Sequence, residues 1–121
     1  MSKLEFPREG DIWIVKFDKL KEFSKPFRPC IVVSNDAQNE FDDQIAVAPL
    51  TSEAEEVTKE RPFTVLIKVN KDNGLEKISK ILLNRVQTID VAERLRDYIG
   101  KVNPSIIKQA QEALKVVVGI E

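Results

Sequence analysis

The sequence predicts a mainly β protein, a small antiparallel barrel or strongly bent sheet with one helix at its C-terminal end. Two observations carry this prediction. Short apolar runs rich in β-branched residues recur along most of the chain, each bounded by polar or turn-forming residues, and only the last stretch shows a clear helical period. With 121 residues the chain has the size of one domain, read here as 1–121, with a single core of ordinary size.

The elements follow in order. Ile12-Trp13-Ile14-Val15-Lys16-Phe17, after the turn signal Glu9-Gly10-Asp11, reads as the first strand by its β-branched and aromatic content. Residues 29–34 give a second strand and 44–50 a third, with room at 35–39 for one short helical turn at most. Residues 52–61 read as a charged, mobile excursion. Phe63-Thr64-Val65-Leu66-Ile67-Lys68-Val69 alternates as a half-buried strand does, residues 70–74 are rich in turn formers, and 78–83 give a fifth strand. Residues 84–90 alternate polar and apolar toward a helical turn at 91–94, and 98–102 add a short last strand. Asn103 is a good N-cap with Pro104 at the first helical position. Ile106, Ile107, Ala110, Ala113, Leu114 and Val117 then recur at helical spacing until Gly119 stops the helix.

Composition narrows the function. The chain is 42% apolar and 32% charged, and no apolar run approaches the roughly 18 residues of a membrane span. A soluble protein without a membrane partner is the expectation. The first residues lack the apolar stretch of a secretory signal, so a cytoplasmic location is the expectation. One cysteine permits no internal disulfide, and with no histidine a metal would need carboxylates, so neither a metal site nor a cofactor is predicted. The net charge of −1 exerts no global pull on nucleic acid, so such binding must rest on a local patch. Lys16, Lys19, Lys21, Lys25 and Arg28 form one, whereas acidic residues crowd the loops on either side of the third strand.

The candidate chemistry sits at the ends of two apolar runs. Arg28 opens Pro29-Cys30-Ile31-Val32-Val33, and Thr51 closes Ile45-Ala46-Val47-Ala48-Pro49-Leu50. If those strands pair, a fixed cation and a hydroxyl converge on one rim, an arrangement suited to a phosphodiester. Taken alone, an arginine placed like Arg28 is more often a surface ion-pair residue than a catalytic one, and a threonine placed like Thr51 is more often a strand terminator. Trp13 reads as core and Cys30 as a packed thiol. Asn84, Arg85 and Gln87 suit either loop-backbone bonding or contact with a base or a phosphate.

Several ordered blocks resemble the MazF/PemK family of toxins. They are 9–18 (Glu-Gly-Asp-Ile-Trp-Ile-Val-Lys-Phe-Asp), 28–36 (Arg-Pro-Cys-Ile-Val-Val-Ser-Asn-Asp) and 47–52 (Val-Ala-Pro-Leu-Thr-Ser). Pro62-Phe63-Thr64-Val65, Leu82-Leu83-Asn84-Arg85-Val86-Gln87-Thr88-Ile89-Asp90, Ile99-Gly100-Lys101-Val102 and the closing helix follow in the family's order. The resemblance covers nearly the whole chain. It implies an SH3-like barrel, a homodimer, and metal-independent cleavage of single-stranded RNA at short sequences, restrained by a cognate antitoxin. It places the chemistry on Arg28 and Thr51. RNA contact is assigned to Lys19, Lys21, Lys25, Ser52, Asn84, Arg85 and Gln87.

RNA carries its own nucleophile, the 2′-hydroxyl, so a protein need only position the phosphate, stabilise the pentavalent oxygens and manage protons. The products would be a 2′,3′-cyclic phosphate and a 5′-hydroxyl. Arginine is not a practical base, and histidine is missing. The block that usually reads Asp-Gln-x-Arg-Thr is Asn84-Arg85-Val86-Gln87-Thr88 here, which replaces a carboxylate by an amide and exchanges glutamine with arginine. The loop from 18 to 27 also lacks the family's Asp-Pro and its glycines. These departures favour, as an alternative, a weakened relative that binds RNA or protein without cleaving it. A poison of DNA gyrase is a further alternative, but the Val118-Gly119-Ile120-Glu121 tail lacks the aromatic residue expected before the glycine.

Overall fold

The computed structural model describes residues 5–17 and 26–120. Within them lie seven strands, β1 Asp11–Lys16, β2 Phe27–Val32, β3 Gln44–Thr51, β4 Thr64–Ile67, β5 Ser79–Leu82, β6 Gln87–Asp90 and β7 Leu95–Lys101. Four helices join them, α1 Asp36–Phe41, α2 Ala54–Thr58, α3 Val91–Arg94 and α4 Pro104–Val118, with a 3-10 turn at Leu83–Arg85. The strand order is β4-β5-β3-β2-β1-β7, and β6 pairs with β3 beyond the end of β5. Every pairing is antiparallel. The predicted mainly β architecture with a C-terminal helix is therefore the observed one, in a barrel-like sheet whose edge strands β4 and β7 do not pair with each other.

The central strands explain why the two apolar runs are continuous rather than alternating. Ile31 on β2 and Ala48 and Leu50 on β3 face a main core with Ile12, Val65, Ile67, Ile81 and Leu83, over which Ala110 and Ala113 of α4 pack. Their neighbours Cys30, Val32, Ile45 and Val47 face a second core with Val15, Phe17 and Ile89. A strand covered on both faces is apolar at every position. Trp13 packs against the second core, as expected, with its ring edge-on to Tyr98 at 5.4 Å between centroids.

Helix α4 has the signals read from the sequence. The Asn103 side chain accepts from the Ile106 N–H at 3.0 Å, and Gly119 ends the helix with φ 76°, a left-handed geometry that glycine adopts without a Cβ penalty. Gly100 serves differently: a Cβ there would collide with the backbone of Asp72 and Asn73, so β7 can lie against the 70–74 turn only with glycine at that place.

Three expectations require correction. Helix α1 runs six residues rather than a single turn at most. Its Asn35 cap accepts from the Gln38 N–H at 2.9 Å, and the wholly buried Asn39 bonds back to the Ser34 carbonyl at 3.0 Å. Those contacts tie the helix to the end of β2. The charged 52–61 stretch contains α2, whose last turn is held by Lys80 of β5 through a bond from its ammonium to the Lys59 carbonyl. The last strand begins at Leu95, not at 98, because α3 is one turn long and delivers the chain directly onto the β1 edge, where Val15 pairs with Leu95.

Candidate functional site

The β2–β3 ladder sets Cys30 opposite Pro49 and Ile31 opposite Ala48. Continued two residues past the first of these pairs, the same register brings Arg28 across from Thr51. The convergence anticipated from the ends of the two apolar runs is thus a property of strand register. On the other side of β3, Thr51 pairs with Lys80 and Leu50 with Ile81. The end of β3 is consequently gripped from both sides.

Two adjoining clefts open here. The first, about 300 Å³, is lined by Phe27, Arg28, Pro29, Leu50, Thr51, Ser52, Glu53 and Ser79. The second, about 150 Å³, adds Glu56, Lys59, Arg61, Phe63 and the 3-10 turn residues Asn84 and Arg85 to the shared Arg28, Thr51 and Glu53. Arg28, Thr51 and Glu53 therefore form the wall between the two.

Arg28 is held firmly. Its Nη2 donates to the Leu50 carbonyl at 2.7 Å, which fixes the plane of the half-buried guanidinium. Burial pulls the Arg28 pKa below its ordinary value, Arg85 pulls the same way, and negative charge at Cys30 or Glu53 opposes them. Burial also pushes the Cys30 thiol up to about 12, so at neutral pH it is an uncharged core group. Arg28 remains a cation, because arginine loses its proton only far above neutral pH. Thr51 is buried, 7% exposed, and its Oγ1 accepts from the Glu53 N–H at 3.3 Å. A fixed fork of donors and a hydroxyl on adjoining clefts can hold a phosphodiester and neutralise charge that develops on it.

The other predicted contacts divide. Ser52 lines the first cleft, and Asn84 and Arg85 line the second. Gln87 does not belong to either wall; it lies on β6 opposite Val47. Lys19, Lys21 and Lys25 lie outside the described residues. Sequence reasoning missed Glu53, Glu56, Lys59 and Arg61, all from the charged segment after Thr51. The signal available was the spacing Thr51-Ser52-Glu53, which lets a threonine hydroxyl cap the N–H two residues on. Lys59 also pairs with Glu55 at 3.4 Å and Glu56 at 3.6 Å, so α2 presents mixed charge to the second cleft.

The fold that carries these clefts is shared with solved structures. The chain superposes with a TM-score of 0.75 on an endoribonuclease in complex with its cognate antitoxin from a Mycobacterial species, at 22% identity over 95% of this chain and 97% of that one. The Mycobacterium tuberculosis toxin MazF-mt6 matches with a TM-score of 0.73 at 22% identity, over 92% and 98% of the two chains. A chain of a MazE–MazF structure from Deinococcus radiodurans matches with a TM-score of 0.68 at 18% identity, over 97% of this chain and 99% of that one. At these identities the structures establish the shared fold. A family description, the PemK-like, MazF-like toxin of type II toxin–antitoxin systems, matches residues 8–118, which is most of the chain from β1 to the end of α4. On that match, the chain belongs to the PemK-like, MazF-like toxin family.

Proposed function

We propose that the protein is a metal-independent endoribonuclease that cuts single-stranded RNA at short sequences, leaving a 2′,3′-cyclic phosphate and a 5′-hydroxyl. The observation that carries this reading is the convergence of Arg28 and Thr51 on the wall between two clefts. In this mechanism the 2′-oxygen attacks the adjacent phosphorus. Arg28 neutralises the charge gathering on the non-bridging oxygens, and the Thr51 hydroxyl contacts one of them or steers the attacking group. Ser52, Asn84, Arg85, Lys59 and Arg61 flank the RNA on either side of the scissile phosphate, with Lys19, Lys21 and Lys25 contributing from the preceding basic segment.

The test is incubation of purified protein with a long RNA in excess chelator. Discrete fragments are expected, whose 5′ ends accept a labelled phosphate without prior phosphatase treatment. An absence of cutting across RNAs of varied sequence, together with retained RNA binding, would instead support the reading as a non-cleaving relative, for which Asn84 in place of a carboxylate is the motive.

The reading also implies a cognate antitoxin, whose acidic residues would lie over Arg28, Arg61 and Arg85 and whose addition should stop the cleavage in that assay. It implies a cytoplasmic homodimer as well. Val116, Val118 and Ile120 at the end of α4 are 54%, 58% and 61% exposed, an apolar surface that a second copy would cover. Light scattering at micromolar concentration should give the mass of two chains, and a one-chain mass refutes the dimer.

A further inference from the structure

Resting on the cleavage reading above, we propose that Glu53 is the base of the reaction, accepting the proton of the attacking 2′-hydroxyl. A base must reach the reacting atoms and must have an available proton site. The chain has no histidine. Asn84 lines the second cleft as an amide and cannot take a proton near neutral pH. Among the described residues that line the two clefts, the carboxylates are Glu53 and Glu56. Glu56 lines only the second and is paired with Lys59 at 3.6 Å. Glu53 lines both, beside Arg28 and Thr51.

Its placement is fixed from several directions. The Glu53 N–H donates to Thr51 Oγ1 at 3.3 Å, and its carbonyl accepts from the Val57 N–H at 2.9 Å at the start of α2. The far end of α2 is held by the buried Lys80 ammonium on the Lys59 carbonyl. The residue is therefore held beside the hydroxyl that contacts the phosphate, while its exposed side chain remains open to substrate and water. The charged groups around it are Arg28 of β2, Glu56 and Lys59 of the α2 segment, Arg61 after it, Arg85 of the 3-10 turn and Lys80 of β5.

The step balances without a co-reactant. The O2′–P bond forms as the 2′-hydroxyl proton passes to the Glu53 carboxylate. The P–O5′ bond breaks, the 5′-oxygen leaves with the electron pair and takes a proton from water, and Glu53 returns its proton to solvent.

The experiment compares wild type with Glu53→Gln, Glu53→Asp and Arg28→Ala under single-turnover conditions across pH. Binding is measured separately, with an uncleavable RNA bearing 2′-O-methyl groups. For Glu53→Gln the expected result is a rate lower by about 10²–10⁴-fold, the usual worth of a positioned base, with RNA affinity retained or increased. The acidic limb of the rate profile should vanish, and Glu53→Asp should restore part of the rate. A wild-type rate in Glu53→Gln, or an acidic limb that persists in it, overturns the assignment. If the wild type cuts, Arg28→Ala does not and Glu53→Gln does, the role of Glu53 falls while the cleavage reading stands. If the wild type fails to cut, both fall.

Discussion

Arg28→Ala is expected to slow RNA cleavage by about 10²–10³-fold, the scale on which removal of one preorganised donor at a developing anion is felt. The argument rests on how little freedom the guanidinium has. One of its nitrogens is committed to the Leu50 carbonyl at 2.7 Å, so in the proposed mechanism the group would meet substrate in a set orientation with little reorganisation as charge builds. Arg28→Lys keeps the charge but loses the planar fork, and should recover only part of the rate. Thr51→Val, which keeps the shape and removes the hydroxyl, should also slow the chemistry, and it frees the Glu53 N–H as well. If, as proposed, the two groups act on the same phosphate, the double variant is expected to lose less than the two single losses combined. Single-turnover cleavage measures each loss. A cleavage rate in Arg28→Ala within a factor of a few of wild type would remove Arg28 from the chemistry. Urea unfolding run alongside separates the kinetic loss from the destabilisation of a Leu50 carbonyl deprived of its donor.

The largest effect on stability is expected at Ile81. It is wholly buried in the main core, on the strand that joins β3 to β4. Ile81→Ala removes packing and leaves a cavity that its strand-bound neighbours Leu50 and Val65 are poorly placed to fill, at a cost of about 2–5 kcal/mol. Against a typical domain stability of about 5–15 kcal/mol this is a large fraction. The urea midpoint should fall by about 1 M or more at an ordinary denaturant slope. A shift below a few tenths of that value would show that the β4–β5 hairpin contributes little to the cooperative unit. Activity should weaken with it, since β5 is the strand that pairs with Thr51.

Legibility in the sequence followed burial. The runs that became β2 and β3 were plain because both faces of those strands are covered, leaving no polar residue to blur the pattern. Helix α4 was plain because Asn103, Pro104 and Gly119 are local signals that act within a turn. The start of β7 was hidden for the opposite reason: Arg96, Asp97 and Tyr98 are exposed on an edge strand with bulged pairing, so neither alternation nor apolar content marks it. Helix α2 was hidden because its end is held by Lys80, a residue remote in sequence. The same contrast holds at the site. Arg28 and Thr51 stood at the ends of legible strands, whereas Glu53 was one carboxylate among several in a charged stretch, distinguished only by its tie to the Thr51 hydroxyl. The register that excludes Gln87 from the clefts depends on β6 joining β3 rather than β5, which is a tertiary choice.

Covering β2 and β3 on both faces has a consequence for how such a protein can diversify. The two strands act as a rigid jig, and its setting depends on interior residues that tolerate little change. The segment 52–61 after Thr51 carries no residue of either buried core. Its residues beyond Glu53 can therefore vary in charge without re-aiming the arginine or the threonine. Under the proposed function, the charge bordering the second cleft can drift in this segment while Arg28 and Thr51, held by their strands, stay fixed.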